Sequence, residues 1–134
     1  MKKKVLIVTS PLRVGGFDVV ATSLQTHLDR ERFECTYYIV GEEVGPLEPM
    51  VINSGAKVIH RPDSVKGYLA NYKYLKKVMH EGKYDIVHSH LMFFSGLVML
   101  AARSESVPVR VPHGHMTDPC MEGRSFIQRR MFDV

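Results

Sequence analysis

A chain of 134 residues with 45% hydrophobic and 24% charged residues and a formal charge of +4 has the size and balance of one ordinary globular domain, which excludes disorder, fibrous repeats and a second complete domain within this length. The positive charge collects at Lys2, Lys3 and Lys4, at Arg124, Arg129 and Arg130, and along Lys66, Lys73, Lys76, Lys77 and Lys83; no aromatic residues interleave with it as a nucleic-acid stacking surface requires, which disfavours that partner. The two cysteines, Cys35 and Cys120, lie far apart without CxxC spacing, so neither a disulfide framework nor a cysteine zinc site is indicated.

The basic N-terminus is followed only by the short apolar run Val5–Val8, well short of a signal-peptide core. That run ends in Thr9-Ser10-Pro11 and reads as a strand buried on both faces of a parallel sheet. A loop with Gly15-Gly16 comes next. Phe17, Val20, Ala21, Leu24 and Leu28 then recur at helical spacing, with Asp18 in the first turn, where a carboxylate suits exposed amides. Phe33–Val40 is a second strand, Gly41–Pro46 a turn, and Leu47 to about Asn53 a short helix capped by Gly55.

Lys57–His60 is a third strand, stopped by Pro62. Val65, Tyr68, Leu69, Tyr72, Leu75, Val78 and Met79 mark a long amphipathic helix ending at Gly82. Its lysines read first as a solvated face and, more sharply, as a patch for peripheral contact with anionic headgroups. Tyr84–His88 is the fourth strand, followed by Ser89-His90 and the apolar run Leu91–Ala102. The run is too short for the roughly 20 residues a bilayer needs, so it is expected as a helix buried on two sides of a cytoplasmic protein. Val107–Val111 is a fifth strand with Pro108 at its start, as an edge position tolerates. After His113-Gly114-His115 a polar loop runs to Gly123, and a further helix starts at about Arg124.

Five alternations of strand and helix with right-handed crossovers give an α/β, Rossmann-like open parallel sheet in the order 3-2-1-4-5, helices on both faces. Ligands of such sheets sit beyond the carboxyl ends of the strands where the order reverses, here between the first and fourth. Just past the strand ends stand Gly15-Gly16, His88-Ser89-His90 and His113-Gly114-His115.

Gly15-Gly16 before a helix start can seat a phosphate, since residues without Cβ let amides approach an anion that the helix dipole also favours; a tight turn needing positive φ explains the pair equally well. The stretch lacks GxGxxG and a Walker lysine, which disfavours NAD. Four of the seven histidines fall in the two His-x-His triplets, and imidazoles in a switch-point cleft can donate to phosphate or sugar, act as acid or base, or bind metal. Metal is the rival chemistry, but the nearby carboxylates are only Asp85 and Asp118, so no metal and no cofactor is expected.

Four segments together resemble the N-terminal domain of the family-four retaining glycosyltransferases of GT-B architecture, particularly those that assemble bacterial surface polysaccharides. They are Lys3–Val8 with Gly15-Gly16, Leu28–Phe33, Lys83–His90 (with YDIVHSH the most specific) and Val109–His115. The resemblance spans nearly the whole chain.

It implies one acceptor-side Rossmann-like domain over 1–134, inactive alone, which works with a C-terminal donor-binding domain in cis or in trans. The substrates implied are a nucleotide-sugar donor and a glycan or lipid-linked acceptor. On these positions it makes Gly15, Gly16 and Asp18 donor-proximal, turns His113 or His115 toward the reacting sugar as the catalytic wall, and sets His88, Ser89 and His90 along the acceptor side. Where the family commonly has a small residue and a glutamate after the glycines, this chain has Phe17-Asp18. The other readings are a subunit of a two-chain glycosyltransferase and an unrelated flavodoxin-like binding domain; the latter lacks an aspartate at Ser10 and Arg61, where a phosphorylation site would need one.

Overall fold

In the computed structural model, which describes residues 1–115, five strands form one sheet in the order β3-β2-β1-β4-β5, every neighbouring pair parallel. The strands are β1 (Lys3–Thr9), β2 (Phe33–Ile39), β3 (Lys57–His60), β4 (Ile86–Ser89) and β5 (Val109–Pro112). Helices α1 (Gly16–His27), α2 (Glu48–Asn53), α3 (Gly67–Gly82) and α4 (Ser95–Ser104) fall between them. The expected class and strand order are those observed. Asp118, Cys120 and the helix expected from about Arg124 lie outside the described residues.

Successive strand residues point to opposite faces, and the continuous apolar run of β1 therefore feeds two cores. Leu6 and Val8 join Tyr38, Leu75, Met79, Val87 and Val98 under α3 and α4, while Val5 and Ile7 join Ala21, Cys35, Tyr37, Ile39 and Val51 under α1 and α2. Each fully buried aliphatic side chain contributes about 2 kcal/mol by leaving water. The Tyr37 hydroxyl donates to the Ala21 carbonyl at 2.6 Å, tying β2 to α1 without leaving a buried hydroxyl unpaired.

Four expectations are corrected. The fourth strand begins at Ile86 rather than Tyr84; Tyr84 is instead buried, its ring against Gly82 so closely that a Cβ on Gly82 would lie 2.1 Å from it. The apolar run 91–102 opens with a 3-10 turn, Met92–Phe94, and α4 starts only at Ser95. That helix is also not buried on two sides. Val98, Ala101 and Ala102, at helical spacing, face the core, whereas Leu100 on the other side is 58% exposed: apolar composition all round does not decide burial when only one stripe meets α3 and the sheet. The fifth strand starts two residues late, at Val109, and is exposed throughout as an edge strand.

Gly45 is held by a close approach. A Cβ there would lie 2.2 Å from the Leu12 carbonyl oxygen and 2.7 Å from the Leu12 nitrogen, and Leu12 is itself fully buried. Backbone atoms cannot step aside as a flexible side chain can. Gly45→Ala is expected to cost about 1–3 kcal/mol, as overpacking does, seen as a lower urea midpoint with an unchanged slope.

Cys35 sits in the core with 4% exposure, and burial pushes its thiol up to about 11. The thiolate is the reactive species. Cys35 should therefore escape iodoacetamide in the native chain and react fully in denaturant, with peptide mass mapping as the readout.

Candidate functional site at the carboxyl ends of the strands

β1 and β4 are neighbours in the sheet, with Val8 opposite Ser89, and the strand order reverses between them. The loop after β1 carries Gly15 and Gly16 into α1. At the same end of the sheet, β4 runs out into His90 and β5 into His113 and His115.

Strand alternation places the histidines. His88 pairs with Val111 across β4 and β5, and the His113 amide donates to the Ser89 carbonyl at 2.8 Å, continuing the ladder past the strand ends. The HxH spacing sends both imidazoles of each triplet to one face and the residue between them to the other. Two adjacent parallel strands therefore bring together four rings. His88 Nε2 lies 3.0 Å from His113 Nδ1, and His90 Nδ1 lies 2.8 Å from His115 Nε2. The His113 and His115 rings are nearly parallel with centroids 4.3 Å apart, and those of His88 and His90 stand at the same separation, tilted by 33°. Ser89 points the opposite way. It is fully buried against α4, its Oγ 2.9 Å from the Ser95 Oγ, which leaves no hydroxyl at the surface of a cleft.

The two triplets, expected on separate acceptor and donor walls, are thus one cluster. His90 is 3% exposed, and its Nε2 is buried with no hydrogen-bond partner among the described residues. Burial, reinforced by the neighbouring imidazoles, lowers His88 to about 4 and His90 to about 3, and burial also lowers His115. His88 and His90 are therefore neutral at pH 7, each keeping a lone pair. One ring nitrogen from each of His88, His90 and His113 lies within 4.8 Å of the other two. Asp85, the carboxylate considered as a metal partner, is engaged elsewhere, accepting from the Lys4 amide at 2.8 Å.

The glycine loop has a different character. Neither Gly15 nor Gly16 has positive φ, and Gly15, the residue before α1, is extended at φ −139°. The tight-turn explanation therefore fails for both. A Cβ on Gly16 would meet nothing within 4 Å, while one on Gly15 would press on Asp18 Oδ2 at 3.2 Å. Asp18 is buried rather than displayed at the helix start, and its Oδ1 has no partner among the described residues. Desolvation raises its pKa, against a lowering backbone hydrogen bond from Arg13.

Residues 14–133 match the model of the family described as Glycosyltransferase Family 4. The chain is 26% identical over 120 residues to EpsF of Bacillus subtilis (strain 168), which carries a glycosyltransferase name; the match covers 87% of this chain and 31% of EpsF. It is 30% identical over 110 residues to the capsular polysaccharide biosynthesis glycosyltransferase CapH of Staphylococcus aureus, covering 82% of this chain and 30% of CapH. The chain thus spans about a third of the length of these curated relatives.

Proposed function

Since the chain belongs to glycosyltransferase family 4, we propose that it is the acceptor-side half of an enzyme that moves a sugar from a nucleotide-sugar donor to a glycan or lipid-linked acceptor in polysaccharide assembly, with retention at the sugar carbon. The observation that carries this reading is the convergence of the glycine loop and the four-imidazole cluster on one end of the sheet, at the reversal of strand order. That is where open α/β sheets bind their ligands.

In this reading the amides at Gly15 and Gly16 and the start of α1 stand beside the donor diphosphate. His113 and His115 face the transferring sugar, and His88 and His90 back them from β4. A donor-binding domain, in cis or in trans, supplies the opposite wall and the charges that stabilise the leaving diphosphate. No helix among the described residues is long and apolar enough to cross a membrane. The reading places the enzyme in the cytoplasm, with the α3 lysines as its contact to the inner membrane face.

The test is turnover with a panel of nucleotide sugars by the 134-residue chain alone and by the chain joined to a donor-binding domain. Transfer is expected only in the second case; robust transfer by the chain alone overturns the half-site reading. Gly16 gives a finer test. Open space around it and its ordinary φ mean that Gly16→Ala leaves the melting temperature unchanged, while a methyl between the amides and a diphosphate is expected to weaken donor binding about tenfold, or about 1.4 kcal/mol.

A further inference from the structure

The imidazole cluster holds more than hydrogen-bond donors. Four rings from β4 and β5 turn their nitrogens on one another, and the innermost, His90, is 3% exposed yet leaves Nε2 without a partner among the described residues. A neutral imidazole has one N–H and one lone pair. If His90 Nδ1 donates to His115 Nε2, its lone pair is orphaned; if His115 donates, its N–H is. Either orphan leaves desolvation unrecovered, and a cation at Nε2 removes that cost in the first tautomer.

The geometry points to a site for one borderline divalent cation, with Zn²⁺ the best fit, held by His88, His90 and His113. Their three ligand nitrogens already lie within 4.8 Å of one another. Around a tetrahedral Zn²⁺ with Zn–N of about 2.0–2.1 Å, such nitrogens stand about 3.3 Å apart. The His88–His113 pair, at 3.0 Å, opens by a few tenths of an ångström, and the wider separations draw in. The hydrogen bond between those two rings gives way to two metal bonds, and the proton it held moves to an outer ring nitrogen. His115 accepts from His90 Nδ1 and so fixes the tautomer that presents Nε2, the part that partners behind metal-bound histidines commonly play.

The donor set selects the ion. Three imidazoles without a carboxylate suit zinc, copper or nickel and are poor ligands for magnesium, calcium or manganese. Three protein ligands also leave a fourth position for water or a phosphate oxygen, as in open zinc sites. The expectation of no metal rested on missing carboxylates; an all-imidazole site has no need of them.

Binding is measured without sugar donor, so the result stands apart from the transferase reading. Tag-free, chelator-stripped 134-residue chain is titrated with Zn²⁺ against a colorimetric chelator, and Co²⁺ is added separately for its visible spectrum. Expected are one Zn²⁺ per chain with micromolar or tighter Kd and a tetrahedral Co²⁺ spectrum. His88→Ala, His90→Ala and His113→Ala should each weaken binding at least 100-fold, and His115→Ala about tenfold at unchanged stoichiometry. Should His90→Ala not fold, His113→Ala decides, since His113 is only half-buried beyond the end of an edge strand. The proposal is overturned by absence of saturable binding, by binding that survives all three ligand substitutions, or by binding lost only on replacing His27, His60 or His80.

Discussion

In an enzyme that joins this chain to its donor-binding half, His113→Ala and His115→Ala are each expected to lower kcat by ~100-fold or more, the usual cost of removing a donor or charge aimed at transition-state charge. Both follow β5, the neighbour of the switch-point strand β4, and both are less buried than His90. His27 and His80 are the controls. They sit on α1 and α3, His27 Nδ1 2.8 Å from the Ser23 carbonyl and His80 Nδ1 3.0 Å from Glu105, and alanine at either should leave kcat within a fewfold. His88→Ala should resemble His113→Ala rather than act on acceptor affinity, because the two rings touch. Steady-state kinetics with separate kcat and KM for donor and acceptor distinguish these patterns. If the double His113→Ala, His115→Ala variant turns over at nearly the parent rate, the sugar-facing wall is wrongly assigned.

The fold was largely legible because it rests on strong local signals. Val5–Val8 reads as a strand buried on both faces, and the alternation of apolar runs with helical stripes pointed to a parallel sheet with right-handed crossovers, for which 3-2-1-4-5 was the order expected. Tertiary contacts decided the rest. Leu91–Ala102 was apolar on every side, so periodicity held no information about which stripe would meet α3; the chain context chose Val98, Ala101 and Ala102. Gly15-Gly16 could not be separated from a turn motif without φ. The histidines are the instructive case. The period of two within HxH already implied that His88 and His90 share a face while Ser89 takes the other, and the parallel pairing of the fourth and fifth strands aligned the two triplets. What could not be read was depth: burial of His90, and with it the neutrality of the cluster, depends on the surrounding packing.

That burial has a consequence for stability. In the metal-free chain His90 is held near 3 in the fold against 6.5 in an unfolded chain, with burial the first cause and His88, His113 and His115, the titratable neighbours around it, adding to the shift. Below pH 6.5 the unfolded chain binds a proton that the folded one refuses, so stability is complete above that pH and falls as the solution is acidified toward pH 3. His90 alone accounts for about 2 kcal/mol lost at pH 5, a large share of the 5–15 kcal/mol typical of a domain. His88, lowered to about 4 by burial and the same neighbours, loses stability in the same direction. His60 works against them: despite burial, its contacts with Glu48 and the Gly41 carbonyl raise its pKa, so its contribution is present at low pH and fades as pH rises. His115, also lowered by burial, acts with His88 and His90, and Asp18, raised by desolvation, acts with His60; the large shifts are those of His88 and His90, and they set the sign. Urea midpoints in chelator-containing buffer should therefore drop clearly between pH 7 and pH 5, and His90→Asn, whatever its stability at pH 7, should flatten that slope. Equal midpoints at the two pH values would mean that water reaches the cluster and that its imidazoles are not held neutral by burial.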